Sequence, residues 1–218
     1  MHRSVAPKRP WFAATVAVAF LAVAFGAGLM PATATHTPAN KMSASSSHLE
    51  VLGSPLAVPG QANEVVELLQ GRIKTSKPTD LIFSVSAECA LWTDLKTVGT
   101  DDSSAAASVK LWIEVNGVPV RLSRDEPAED AGKVVFCDRA YRRSTIFEDE
   151  NATIETFLKT RSANAFDWIK LNVGSGTHDI VLKAELATEV AGKGHARAAV
   201  GKRTMLVTPE KLANDATL

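Results

Sequence analysis

The chain has 218 residues, 45% of them hydrophobic, with 24 Lys and Arg, 24 Asp and Glu, and two cysteines. Three of the basic residues (Arg3, Lys8, Arg9) and no acidic residue fall in the first 34 positions, so the remainder holds 21 basic against 24 acidic residues, a net charge of −3. That balance excludes an electrostatic drive toward nucleic acid or an anionic membrane surface, and two cysteines outside any CxxC pair argue against a zinc or dithiol redox centre.

In chain order, residues 1–34 read as a secretory signal peptide. A basic start runs into an apolar stretch over 11–30 and then Pro31-Ala32-Thr33-Ala34, a small-x-small site with cleavage expected after Ala34. An uncleaved anchor is the alternative, since about twenty apolar residues just span a bilayer. Either way the rest is expected to work outside the cytoplasm, secreted or at the cell surface. No later apolar run reaches spanning length, so no membrane span is expected once the signal is removed. Residues 35–48, rich in Ser, Thr, Ala and Pro, read as a flexible spacer. Residues 49–212 suit one domain, and 213–218 form a polar tail.

Within that domain apolar residues recur with period two. The segment 63–73 alternates poorly and reads as either a strand or a short helical turn. Leu81, Phe83, Val85, Ala87, Cys89 and Leu91 share one strand face. Val109, Leu111, Ile113 and Val115 share another, and Asn116-Gly117 separates them from Val118, Val120 and Leu122. Asn-Gly between alternating segments predicts a tight hairpin, because a type I′ turn needs positive φ at both central residues. Further strands are expected at 133–138, 152–160, 166–173, 178–186, 196–202 and 204–207. About nine short strands with turn signals between them point to an all-β fold, a jelly-roll-like antiparallel β-sandwich. An immunoglobulin-like sandwich, with Trp112 as its core tryptophan, is the alternative.

Cys89 and Cys137 both lie in apolar runs. In an oxidising compartment two cysteines allow one intrachain connectivity, so a Cys89–Cys137 disulfide is predicted.

The segment 162–186, SANAFDWIKLNVGSGTHDIVLKAEL, joins an apolar strand, a Gly-x-Gly turn with Thr-His and a second alternating strand. Together with the closing Val200-Gly201-Lys202-Arg203-Thr204-Met205-Leu206-Val207 it resembles the final strands of secreted bacterial jelly-roll domains of the C1q/TNF-like kind. The resemblance covers roughly the last fifty residues. It implies a compact sandwich able to form trimers and to bind partners through its loops, and it implies no catalysis.

The chemistry-bearing residues are sparse. Beyond residue 34 there are four histidines, His36, His48, His178 and His195, and no HxH pair, so no metal site is predicted. Acidic pairs at Asp101-Asp102, Asp125-Glu126 and Glu129-Asp130 and the run Glu148-Asp149-Glu150 offer hard oxygens for calcium, but charges solvating loops are the favoured reading, and no cofactor is predicted. Glu114 and Glu155 are the best carboxylate pair for a glycosidase. The tract Asp138-Arg139-Ala140-Tyr141-Arg142-Arg143 gathers three guanidiniums beside a tyrosine and is a candidate for a carboxylate or sulfate ligand. The segment 193–203 has a similar basic character. Trp92, Trp112 and Trp168 are candidate sugar platforms, with Trp112 and Trp168 chosen from their alternation with Leu111, Ile113 and Ile169. The expected function is a non-catalytic binding or assembly protein outside the cytoplasm, its partners being further copies of itself as a homotrimer, an extracellular protein or a glycan. A carbohydrate-binding module or glycan-active enzyme is the alternative.

Overall fold

A computed structural model describes the backbone of residues 43–47 and the chain over 59–146 and 151–212. The segment expected to be a signal peptide, most of the expected spacer, the acidic run Glu148-Asp149-Glu150 and the expected tail lie outside the described residues. Among those described there are nine strands: β1 (Ser43–Ser47), β2 (Gly60–Thr75), β3 (Thr79–Val98), β4 (Asp102–Val115), β5 (Val118–Pro119), β6 (Val134–Ser144), β7 (Thr153–Val173), β8 (Gly176–Ala191) and β9 (Lys193–Glu210), with one 3-10 turn at Ala128–Asp130. No helix among them is long and apolar enough to cross a membrane.

The strands form two antiparallel sheets. The first has the order β1-β9-β3-β7. The second runs β2-β8-β4-β6, with the two-residue β5 prolonging the ladder beside β4. The chain passes from one sheet to the other at nearly every turn, and this order is that of a jelly roll rather than of an immunoglobulin sandwich. Val115 pairs with Val118, and the intervening Asn116 (φ 53°) and Gly117 (φ 78°) both take the left-handed conformation that the Asn-Gly signal predicts.

Alternation drives the packing. Leu81, Phe83, Val85, Cys89 and Leu91 of β3 are buried against Val109, Leu111 and Ile113 of β4 and Ile180 and Leu182 of β8, in one continuous cluster. Each fully buried large side chain contributes about 1.5–3 kcal/mol. Further along, Leu95, Ala105, Val190 and Ala196 form a second, smaller cluster capped by Tyr141. Thr93 and Thr188 lie between the two on β3 and β8, both buried. The hydroxyls of Thr93 and Thr97 find no hydrogen-bond partner.

Several elements differ from the sequence reading. The expected breaks within 152–173 and 196–207 are absent, and each stretch is one long strand. In β9 the register against β3 slips between Val200 and Arg203. This bulge moves the buried set from Ala196, Ala198 and Val200 to Arg203, Met205 and Val207, and the phase reversal looks like a strand boundary. A bulge at Leu68 likewise buries Leu68 and Leu69 in succession, which explains the poor alternation of β2. The strand expected at 133–138 continues to Ser144 as an edge strand, where polar residues are admitted. Ser43–Ser47, assigned to the spacer by composition, pairs with β9 from Val207 to Arg203.

Residues 120–133 close one end of the sandwich. Glu126 accepts hydrogen bonds from the amides of Leu122 (3.1 Å) and Gly132 (2.8 Å), and the Trp168 indole donates to the Gly132 carbonyl at 2.8 Å. Gly132 has φ +70°, and a Cβ there would collide with the backbone carbonyl of Val120. Gly132→Ala is therefore expected to lower unfolding stability by about 2 kcal/mol, a loss to be measured by urea denaturation.

Candidate functional site

The sites anticipated from sequence do not assemble as such. Trp168 is fully buried, with Phe136 stacked at 6.2 Å and Phe166 edge-on at 4.8 Å, and it presents no platform to a sugar. Trp112 lies on the outer face of the second sheet but is only 6% exposed. Its indole donates to Glu114 Oε1 at 3.1 Å and Lys133 Nζ stands 5.4 Å over the ring. The ion pairs Lys183–Glu114 (2.9 Å) and Lys133–Glu185 (2.6 Å) surround it. Largely buried ion pairs, invisible to a hydrophobic pattern, cover that indole.

The arginine tract is divided by the strand pleat, because successive residues of β6 point to opposite faces. Tyr141 packs inward on the second core cluster, and Arg143 donates to Thr156 Oγ1 at 2.6 Å. Arg139 shares their inward phase, and its Nη1 is buried without a partner. Arg142 points outward and is paired with Asp102. That guanidinium holds the Asp102 carboxyl below the usual carboxylate range. Three guanidiniums on one ligand are therefore not available here.

Glu114 and Glu155 stand on different sheets, Glu114 with Lys183 and Glu155 with Lys96 at 3.0 Å. They do not converge across a cleft as a glycosidase requires. His178 is buried rather than solvated. Its Nε2 donates to the Gly174 carbonyl (2.9 Å), while Nδ1 accepts from Asn116 Nδ2 (3.2 Å), which locks the β7–β8 turn. Asp101 is paired with Lys193 and Asp130 with Lys110. Among the described residues no group of three or more His, Cys, Asp or Glu is placed to hold a metal ion.

Two features do come together. One is an open side of the sandwich, where the edge strands β6 and β7 belong to different sheets and share no ladder. Side chains link the sheets there instead. Cys137 of β6 forms a disulfide with Cys89 of β3, the neighbour of β7, with Cα atoms 6.5 Å apart, and Asn164 Nδ2 of β7 donates to the Phe136 carbonyl of β6 at 2.6 Å. Among the described residues nothing pairs with the outer edge of β7, which is 21 residues long and exposes Phe157 (63%) and Phe166 (36%).

The other feature is a depression of about 140 Å³ on the outer face of the first sheet, lined by Glu88, Ala90, Trp92, Lys159, Arg161, Ala199 and Gly201 among others. The register across β9, β3 and β7 sets Arg197, Trp92 and Lys159 in one row and Ala199, Ala90 and Arg161 in the next. Lys159 Nζ and the Arg197 guanidinium each lie 5.6 Å from the Trp92 ring centroid. Small residues leave space beside the indole, and cations frame it. Arg161 Nη2 donates to Glu88 at 2.6 Å and holds that carboxyl below its usual range, so Glu88 stays ionised. Of the three tryptophans noted in the sequence, Trp92 is the half-buried one. Its place opposite Leu91 in the alternation was the available signal, but the neighbouring cations come from strands distant in sequence.

Fold and surface together define an all-β jelly-roll sandwich with an open, cross-linked side and a cationic, aromatic-walled depression on one face. No protein-family model matches the chain, and no curated protein matches it.

Proposed function

We propose that the chain is a secreted or cell-surface protein of the C1q/TNF-like kind that binds and assembles without catalysis, as a homotrimer. One observation carries this reading: the unpaired β7 edge with Phe157 and Phe166 exposed along it, beside the equally unpaired β6. A long uncovered edge is a template for further contact unless it is blunted or buried, and a second copy of the chain is the partner always present. Export explains the leader and the disulfide together, since the bond persists only in an oxidising compartment.

The absolute mass of the chain in solution, followed by light scattering across a dilution series, tests the proposal. A trimer mass is expected, and Phe157→Lys with Phe166→Lys is expected to shift it toward the monomer. A monomer at all concentrations overturns the assembly reading. A dimer retains assembly and overturns the trimer.

A further inference from the structure

We infer that the Trp92 depression is a binding site for an acidic glycan, seating one carboxylate-bearing sugar of a chain laid across the outer face of the first sheet. Trp92 supplies the apolar wall, against which the C–H face of a sugar ring packs. Ala90, Ala199 and Gly201 leave the space beside it. Lys159 and Arg161 supply charge-assisted donors for a carboxylate. Lys159 has no ion-pair partner among the described residues, whereas Glu88 engages Arg161 through one nitrogen.

The dimensions favour a small unit. About 140 Å³ is well below the roughly 300–1,000 Å³ of pockets that enclose a drug-sized molecule. One ring enters, and its neighbours lie over the sheet. The chain beyond its leader has a net charge of −3, so a local cationic cluster rather than bulk charge must recognise the ligand, and extended polyanions such as nucleic acid gain little from the rest of the surface. This inference is independent of assembly, because the depression is built within one chain.

The test uses the purified secreted chain and tetragalacturonate as the probe, with maltotetraose as the neutral control and inorganic sulfate and an oligothymidylate as anionic controls. Intrinsic fluorescence reports binding, since Trp112 and Trp168 are buried and Trp92 is not. Tetragalacturonate is expected to bind, more weakly as salt rises above about 0.1 M, and maltotetraose is not. Lys159→Glu, a surface change that leaves the core untouched, is expected to weaken binding by roughly tenfold or more. Ala90→Phe, which fills the space, is expected to abolish it. Three results overturn the inference: equal affinity for the charged and neutral tetrasaccharides, affinity unchanged in Lys159→Glu, or sulfate or oligothymidylate binding as tightly as tetragalacturonate. Binding that persists while light scattering shows a monomer leaves this site standing and removes only the assembly proposal.

Discussion

Replacing Cys89 and Cys137 together by alanine is expected to lower the free energy of unfolding by about 4 kcal/mol, the chain-entropy value for a closed loop of this length. The two residues are 48 apart in sequence and belong to different sheets, on the side where β6 and β7 share no ladder. The bond therefore restrains the unfolded chain and also fastens a side of the sandwich where no backbone ladder joins the two sheets. Urea denaturation with and without reductant measures the loss, and amide exchange in β6 is expected to accelerate more than in β8, which is paired on both sides. Equal midpoints with and without reductant would refute the contribution. The single variants are expected to fall as far as the double one, since either removes the bridge.

Trp168→Ala is expected to cost about 3–5 kcal/mol, the range for deleting a fully buried aromatic side chain. Three terms are lost at once: the apolar area of the ring, its contacts with Phe136 and Phe166, and the hydrogen bond to Gly132 that ties residues 120–133 to the sandwich. Trp168→Phe separates them. It retains most of the packing and removes the donor, with an expected cost of about 1–2 kcal/mol. Paired urea titrations of the two variants check the ordering. An alanine variant as stable as the parent would show that the indole is not a core residue.

The contrast between Trp168 and Trp92 shows where sequence reasoning succeeded and where it stopped. Period-two alternation placed the β3 and β4 core faces residue by residue, because each strand face is set by covalent geometry and needs no knowledge of neighbours. The Asn-Gly hairpin followed from φ preference alone, and the Cys89–Cys137 pairing from a count of two. Alternation failed at the bulges, where one extra residue near Leu68 and another near Gly201 reversed the phase. At Trp112 the phase gave the right, outward face but not the exposure, because lysines from β8 and the β5–β6 loop cover the ring. The arginine tract failed by the opposite route. Residues adjacent in sequence were divided between two faces by the pleat, and Arg142 went to Asp102 while Arg143 went to Thr156.

The sequence by itself determined the all-β character, the buried faces, the tight hairpin and the single possible disulfide. These depend on local geometry and on counting. Tertiary structure decided the strand order, the register that aligns Arg197, Trp92 and Lys159, and the open side between β6 and β7. Those depend on pairings between strands tens of residues apart, and a one-residue slip in any of them would move every side chain of that strand to the other face.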